Sequence, residues 1–391
     1  MNRKQFLLLL GLVVLVGAAG WLVRQHSQSS WQSAGPALGR KLLPNLPVND
    51  IAQITIQSGT NELTLARRDG LWRVRERSDY PADFSQISGL LIKFSELKSA
   101  QSQEVGASQL GRFELLPPGS GTNSGTRVEL KDQNGRTLTS LLLGKKHMKS
   151  PPGKSRFGGF GDEGWPDGRY VMVGSGAKTV AVVSDPLENV EPGPERWLNK
   201  DFISIEKPRT ISAQFPDATN SWKLMRASET NDWQLADARA AEKLDASRLY
   251  GITSPFSSPG FNDVLPADTP PQTSGLTNVT VLTVETFDGF TYTAKIGWKQ
   301  ADNYPVSFSI AAHLPAEPAF APDEKRADEA KSGAQFQERR KQLADKLARE
   351  RQCERWIYLM PAYNVDPVTK PRAQLLVETN SEPAPASPSG K

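Results

Sequence analysis

The residues with the most versatile chemistry in this chain are few and scattered. Its three histidines, His26, His147 and His313, lie far apart, and none has both a carboxylate and a nucleophile beside it in the sequence. A hydrolytic triad can converge in space from distant positions, but a surface position is the simpler interpretation of each histidine. One cysteine and three histidines do not make a zinc site of the usual kind. We therefore predict no catalytic residue, no metal site and no cofactor.

A glycine-rich segment, Gly159–Gly164, matches the G-x-G-x-x-G pattern of dinucleotide-binding loops. Such a loop needs a strand before it and a helix N-terminus after it, so that backbone N–H groups face the phosphates. Here Lys154-Ser-Arg precedes the glycines and Trp165-Pro166 follows them. The surroundings therefore predict a loop inside a β-hairpin and not a nucleotide site.

Other charged and aromatic side chains are better suited to binding than to catalysis. Paired carboxylates such as Asp162/Glu163 and Asp323/Glu324 are interpreted as solvated, because an acid/base couple needs a cleft that holds its spacing. The run Lys145–Lys149 forms a basic patch that anionic lipid heads or envelope polymers could meet, and a solvated loop is the default interpretation. Trp165, Trp197 and Trp298 lie near turns, where sugar stacking is an alternative to anchoring of the core or of loops.

The first residues carry the strongest local pattern. Phe6–Val23 is an uncharged run of 18 residues, and a helix of that length spans about 27 Å, close to the thickness of a hydrocarbon core. Gly17–Gly20 could supply a cleavage site, so a signal peptide is one alternative, and a buried helix is another. Because the apolar run continues past those small residues, we favour an uncleaved anchor over residues 1–24. Arg3 and Lys4 favour a cytoplasmic N-terminus.

The composition predicts a folded chain with flexible ends. Of 391 residues, 23% are charged and 38% are apolar, which argues against general disorder. The net charge of +4 is small and both signs are interspersed, so nucleic-acid binding is not expected. Residues 25–50 are rich in Gln, Ser, Gly and Pro and predict a flexible stalk. Residues 371–391 predict a strand end followed by a disordered tail.

The first of two predicted domains covers residues 51–207. Apolar and polar residues alternate over Ile51–Gln57, as in a strand, and the turn Asp69-Gly70 joins further strands into a meander. Apolar residues then recur at spacings of three and four from Ile87 to Leu97, which predicts an amphipathic helix of about four turns. Two later hairpins are predicted over Val128–Leu143 and Tyr170–Val183.

A second domain, residues 208–370, is predicted to repeat the first. The offset is 157 residues between the first strands (Ile54 and Ile211) and 154 between the glycines of two later turns. Leu244–Ile252 is expected to supply the second helix. This agreement favours duplication of one unit, and chance similarity between meanders is the alternative. The predicted fold class is α+β, with two tandem similar domains of antiparallel β-meander and packed helix, plus an N-terminal transmembrane helix.

One insertion, residues 322–355, interrupts the second domain. It carries eight acidic and ten basic residues and has no proline after its start, which predicts a charged helix. A solvated helix that packs one narrow stripe on its own domain is the simpler interpretation, and a projecting helix that docks a partner is the alternative. Near its end lies the only cysteine, Cys353. We expect it to be packed, with a redox or dimer-linking role as the alternative.

Several short motifs in a fixed order resemble the DUF4340 family of uncharacterised, membrane-tethered bacterial proteins. The resemblance covers roughly residues 50–310 and implies no catalytic residues. It implies partners instead, because members of the family resemble accessory components of ABC-type transport systems of the gliding-motility kind. The motifs, which follow the apolar N-terminal run and the first strand, are Asp69–Val74, Tyr80–Asp83, Leu110–Leu115 ahead of Gly144-Lys145, and Trp197–Ile203.

Together these patterns predict a non-enzymatic protein held in the bacterial cytoplasmic membrane by the Phe6–Val23 helix, with its bulk on the extracytoplasmic side. It would be a scaffold or accessory subunit of an envelope complex, with ABC-type transporter subunits as partners. An extracytoplasmic glycan- or lipid-binding module is one alternative, using the cleft between the domains or the loop from Met148 to Tyr170. An unrecognised hydrolase is the other.

Overall fold

The computed structural model describes residues 39–149, 165–174, 176, 178–239, 242–314 and 326–377, with side chains in the last range from residue 333 onwards. The predicted Phe6–Val23 helix and the Gly159–Gly164 loop lie outside these residues. Within them, no helix is both long enough and apolar enough to cross a membrane. The described chain consists mostly of two antiparallel sheets with a few helices, which confirms the α+β class.

The first structural unit ends at Asn199 and contains one nine-stranded sheet and one longer helix. Its elements are β1 Gln53–Ser58, β2 Asn61–Arg68, β3 Leu71–Val74, β4 Tyr80–Pro81, α1 Phe84–Glu96, β5 Ser99–Glu104, β6 Thr126–Lys131, β7 Thr137–Lys149, β8 Trp165–Val173 and β9 Thr179–Val183. The strands lie in the order β4-β3-β2-β1-β6-β7-β8-β9-β5, and neighbours are antiparallel.

The first strands form the predicted meander because the turn residues and the apolar alternation favour the same strand pairing. Asp69 and Gly70 both have positive φ angles, 51° and 78°, and this two-residue turn has a twist that matches the strands it joins. On β1, the alternating residues Ile54 and Ile56 are fully buried, while Thr55 between them is only partly covered. The period of two therefore directs one face of β1 into the core.

Helix α1 begins where the sequence predicts it. The Asp83 carboxylate caps it by accepting hydrogen bonds from the backbone N–H groups of Ser85 and Gln86. Full burial of one large apolar side chain is worth about 1.5–3 kcal/mol, so the apolar face of the helix outweighs the cap as a source of stability. That face consists of Ile87, Leu90, Leu91 and Phe94, all buried.

Two segments that are far apart in sequence pair at the start of α1. The backbone N–H of Asp83 donates to the Trp197 carbonyl oxygen at 2.8 Å, and that of Asn199 donates to the Pro81 carbonyl oxygen at 2.9 Å. The Tyr80–Asp83 motif therefore meets the Trp197-Leu-Asn segment directly. Their joint occurrence in the sequence has a structural reason.

A second pair of motifs meets at Gly144 on β7. A Cβ at this position would overlap the Phe113 carbonyl oxygen and would lie 2.9 Å from Leu115 Cγ. Glycine is required here because the 3₁₀ segment Ala107–Phe113 approaches the strand so closely. The Leu110–Leu115 motif and Gly144 are thus two sides of one contact.

The predicted stalk is shorter than residues 25–50. The backbone N–H of Gly39 donates to the Ser99 carbonyl oxygen at 2.8 Å, and that of Leu42 donates to the Leu97 carbonyl oxygen at 2.8 Å. Leu43 is buried. These bonds attach the chain from residue 39 onwards to the first unit. Burial of the apolar Leu43 side chain favours the same attachment.

The second unit begins at Lys200 and contains an eight-stranded sheet. Its elements are β10 Pro208–Gln214, β11 Trp222–Met225, β12 Gln234–Leu235, β13 Asp263–Pro266, α2 Pro271–Ser274, β14 Thr280–Thr286, β15 Phe290–Ile296, β16 Asn303–Ala312, α3 Arg326–Glu350, β17 Trp356–Pro361 and α4 Ala362–Val365. The order is β12-β11-β10-β14-β15-β16-β17-β13, again antiparallel. Matched strand by strand, it is the order of the first sheet without β4.

The helix predicted over Leu244–Ile252 is wrong. Only Ala246–Leu249 is helical, as a single 3₁₀ turn. Leu244 instead forms a β-bridge with Leu376, which holds the start of this segment extended. Gly251 has a φ of 77° directly after the turn and ends any continuation. Tertiary pairing and a left-handed glycine therefore override the apolar spacing.

Two glycines offer opposite tests of this packing. Gly144→Ala should lower the free energy of unfolding by roughly 1–3 kcal/mol, because the added methyl overlaps backbone that cannot move away easily. Gly89→Ala, on the exposed side of α1 with nothing within 4 Å of its Cβ, should raise it by up to about 1 kcal/mol. Urea unfolding followed by circular dichroism measures both. A harmless Gly144→Ala would contradict the close approach.

Candidate functional site

The second unit carries its insertion between β16 and β17. In the first sheet the corresponding connection, between β8 and β9, takes only residues 174–178, whereas here it takes residues 313–355 and includes α3. Buried ionisable side chains converge where α3 returns to the sheet. This region is the first candidate site.

The end of α3 is fixed by a buried carboxylate. Glu350 is 5% exposed, and it accepts hydrogen bonds from the Tyr292 hydroxyl on β15 at 2.7 Å and from the backbone N–H of Ser204 at 3.0 Å. One turn earlier, the Lys346 ammonium donates to the Ser204 carbonyl oxygen at 2.7 Å and lies 3.4 Å from the Glu206 carboxylate. The last turns of the helix are therefore bonded to a strand and to a connecting segment at once.

The 3₁₀ turn that follows, Arg351–Arg355, secures the same end from β16. Glu354 Oε1 accepts a hydrogen bond from the Ile310 N–H at 2.6 Å, and Arg351 Nε donates to the Ile310 carbonyl oxygen at 3.2 Å. Cys353 is buried in this turn, and burial raises the pKa of its thiol to about 11. A thiol with that pKa stays protonated at neutral pH, which favours the packed interpretation over a redox role.

The ionisable groups of the cluster are paired beside a small cavity, which favours support over catalysis. Burial raises the pKa of the Glu350 carboxyl, although the bonds from Tyr292 and Ser204 and the charge of Lys346 act in the other direction. Burial and the bond to Glu350 also raise the pKa of Tyr292. A carboxyl beside a phenol has the residue types of acid/base chemistry. The adjoining cavity, however, is only about 130 Å³, well below the roughly 300–1,000 Å³ of ligand pockets.

Further from its end, α3 is mostly exposed. Leu343 and Leu347 are half-buried, and Arg339 makes an ion pair with Asp288 at 2.9 Å. Next to Arg339, the side chains of Glu338, Arg340 and Lys341 are exposed, and their summed charge is positive. Among the side chains described from residue 333 onwards, the helix thus combines both interpretations of the insertion: one stripe packs near the C-terminal end, and most of the others are exposed.

The second candidate site lies on the hairpin of β7 and β8. Here His147 Nδ1 and Asp167 Oδ1 are 2.6 Å apart, and the His147 ring lies 5.9 Å from the ring of Tyr170. The sequence predicts a loop for Lys145–Lys149, but the structure extends β7 through Lys149, because these residues pair with the start of β8. His147 therefore gains a carboxylate partner that sequence proximity did not reveal.

The remaining predicted candidates do not converge. His313 follows β16, where its backbone N–H donates to the Gly289 carbonyl oxygen at 2.8 Å. His26, Asp162/Glu163 and Asp323/Glu324 lie outside the described residues. Among the residues that the structure does describe, no group of three or more His, Cys, Asp and Glu side chains could hold a metal ion.

One ionic cluster around a buried arginine was missed altogether. Arg372, 5% exposed, donates from Nη1 to Asp237 Oδ2 at 2.9 Å and from Nη2 to Glu242 Oε2 at 2.7 Å. The bond from Arg372 lowers the pKa of Glu242 to about 2. A lowered carboxyl pKa stabilises the fold above the unfolded value of 4.5, and this is lost as the pH falls towards 2. No sequence spacing relates partners that are more than 100 residues apart, so only the fold reveals these ion pairs.

Glu350 should give a pH signature of the opposite sign. A carboxyl whose pKa is raised on folding stabilises the fold most below pH 4.5, its unfolded value, and this contribution is lost as the pH rises through the folded pKa. Glu350→Gln can keep both hydrogen bonds, as acceptor to Ser204 and donor to Tyr292, without titrating. The unfolding free energy of Glu350→Gln minus that of wild type should therefore increase from pH 4.5 to neutral pH, as measured by urea titrations.

Glu350→Ala is the companion variant. It removes the acceptor for both Tyr292 and Ser204, and it should lower the free energy of unfolding by roughly 1–3 kcal/mol. If the difference between the glutamine variant and wild type did not change with pH, the raised carboxyl pKa would be wrong. If the alanine variant matched wild type, the helix end would not depend on this cluster.

Comparison with known proteins agrees with the motifs and adds no activity. A family model described as "Domain of unknown function (DUF4340)" matches residues 72–155, a shorter range than the 50–310 over which the sequence resembles the family. Neither the search of curated proteins nor the search of solved structures returned a match. The matched range holds Tyr80–Asp83, Leu110–Leu115 and Gly144, which make the contacts described above. Residues 72–155 therefore match the DUF4340 family, and the resemblance that the motifs predict is confirmed over that range.

Proposed function

We propose that the protein is a non-enzymatic scaffold or accessory subunit of an envelope complex, with α3 as its docking element. The observation that carries the proposal is the division of α3. Its C-terminal end is fixed by Glu350 and Lys346, whereas the segment around Arg340 is exposed and basic. A helix that is held rigidly at one end and uncovered along the rest can present side chains to a partner at little cost in ordering.

The exposed charges define the kind of partner. Arg340 and Lys341 are exposed next to each other, while Arg339 and Lys346, on either side of them, are paired with Asp288 and Glu206. Complementary charge speeds association and selects among partners. The proposed partner is therefore the acidic surface of a membrane-transport subunit, such as the extracytoplasmic part of a permease of an ABC-type system.

The shared strand order of the two sheets supports a scaffold. We infer that one antiparallel β-meander unit was duplicated, since the order matches strand for strand and the sequence offset is nearly constant. The two units then differ in which connection is enlarged: β7 to β8 in the first and β16 to β17 in the second. A repeated frame with different additions suits a protein that contacts different partners through each unit.

The proposed location is the bacterial cytoplasmic membrane, with both units on the extracytoplasmic side. Phe6–Val23 has the length and the apolar character of a single membrane-spanning helix, and Arg3 and Lys4 precede it. The resemblance to a membrane-tethered family supports the same placement. A hydrolase is the weaker alternative, and a glycan-binding role is taken up below because the β7–β8 hairpin favours it.

The test is a mild-detergent pull-down of the full-length chain, with mass spectrometry of the bait and of co-purifying proteins. Wild type should bring down permease or ATPase subunits and keep its N-terminal residues. The double variant Arg340→Glu/Lys341→Glu should reduce recovery of those subunits by about tenfold, because each reversed charge opposes an acidic partner.

The matched control is Lys223→Glu/Lys295→Glu, which makes the same change in net charge at exposed positions on β11 and β15. It should bind like wild type. Equal loss in both double variants would mean that net charge alone decides recovery and would remove α3 as the docking element. A soluble bait without its N-terminal residues would overturn the membrane anchor.

A further inference from the structure

The β7–β8 hairpin extends beyond the sheet as a two-stranded arm. The last pairing of β7 with β6 is at Leu143, and the first pairing of β8 with β9 is at Arg169. Among the described strands, residues 144–149 therefore pair only with residues 165–169 of β8. We call these residues the arm. Gly144 and Gly168, at its inner end, are buried, whereas most side chains further out are exposed.

The base of the arm is held firmly. Arg169 Nε donates to the Gly144 carbonyl oxygen at 2.8 Å, and Arg169 Nη1 donates to the Leu187 carbonyl oxygen at 3.0 Å. Gly144 itself packs against the Phe113 backbone. The arm is thus preorganised, and a ligand would not have to order it.

One face of the arm collects basic and aromatic groups. Although the β7–β8 register shifts after Leu143 and again after His147, the spacing of two residues along β7 groups Lys145, His147 and Lys149 on one face. Lys146 and Met148 then lie on the other face. The contacts agree with this assignment: the Lys145 ammonium and the His147 ring each lie 5.9 Å from the Tyr170 ring, whereas Lys146 pairs with Glu188 at 3.2 Å.

The aromatic groups orient the charges at the inner end of this face. The rings of Phe113 and Tyr170 are 4.9 Å apart, and the Lys145 ammonium lies within 6 Å of both. A cation over aromatic faces is positioned without being neutralised. The carboxylate of the arm, Asp167, is already committed to His147 Nδ1, and that bond lowers the Asp167 pKa and keeps it ionised. Asp167 also lies within electrostatic reach of Lys149, but one carboxylate does not offset two ammonium groups, so the face has a net positive charge.

The outer end supplies a stacking surface. Trp165 is directly opposite Lys149 in the strand register, so both side chains lie on the same face, and Trp165 is 51% exposed. From Lys145 to Lys149 the strand rises about 13 Å, at roughly 3.3 Å per residue. One small anion cannot meet both ammonium groups at that separation, whereas a chain of anionic groups can.

We propose that this face of the arm binds an acidic oligosaccharide whose sugar rings carry carboxylates or phosphates. Lys145 and Lys149 pair with two anionic groups, and one sugar ring stacks on Trp165. His147, held through Nδ1 by Asp167, directs Nε2 to a sugar hydroxyl or anion. A lipid would need an apolar surface to enter, and the face offers charges and a single indole instead.

The test uses isothermal titration of the full-length chain with short oligomers of galacturonic acid. Wild type should bind the oligomers, and the fully methyl-esterified oligomers of the same length should bind at least about tenfold more weakly, because esterification removes the charge. Lys145→Gln/Lys149→Gln and Trp165→Ala should each weaken binding by about tenfold or more. Inorganic phosphate at the same concentration should not compete, because it cannot bridge the face.

Lys146→Gln is the matched control, since Lys146 lies on the same strand but on the opposite face. It should bind within about twofold of wild type. Each of these exposed substitutions should leave the far-ultraviolet dichroism unchanged. Absence of binding at millimolar oligomer, equal binding of the ester, or equal loss in Lys146→Gln would each overturn the proposal. Because α3 takes no part in this binding, failure here leaves the docking role of α3 unaffected.

Discussion

The structure depends on the pairing of β1 with β6 in the first unit and of β10 with β14 in the second. Each pair joins strands that are separated by about seventy residues of chain. Without it, the first strand of each meander would have one side of unpaired N–H and C=O groups, which is costly in a buried strand. Once the pair forms, the following strands add to the sheet in chain order. Strands β5 and β13 form the edge at the far side.

This distinction between local and distant pairing also decides what the sequence could predict. The strand over Ile51–Gln57, the hairpin over Val128–Leu143 and the helix α1 follow from apolar periodicity and turn residues, and the structure confirms them. Strand β5 has the sequence Ser-Ala-Gln-Ser-Gln-Glu, with no apolar alternation, and it exists because β9 offers it an edge. The Leu244–Ile252 helix failed for a related reason, since pairing with the C-terminal segment held its first residues extended.

The candidate sites were harder to predict than the strands that carry them. The charged helix of the insertion is visible in composition, but its division into a fixed end and an exposed length depends on Tyr292, which is 58 residues from Glu350. His147 and Asp167 meet only because β7 extends further than its polar sequence suggests. In both cases the decisive groups are polar residues whose role is set by partners brought close in the fold, and no spacing rule describes such partners.

The buried position of Cys353 makes the protein its own reporter. The side chain is the only thiol in the chain, it lies in the turn that fastens α3 to β16, and its high pKa keeps it inert while that turn is in place. A thiol reagent can therefore react only when the turn opens. At low reagent concentration, the reaction rate would report the equilibrium population of the open turn, separately from unfolding of the whole chain. A partner that binds α3 would change the reaction rate of the Cys353 thiol, so docking could be followed without attaching a label elsewhere.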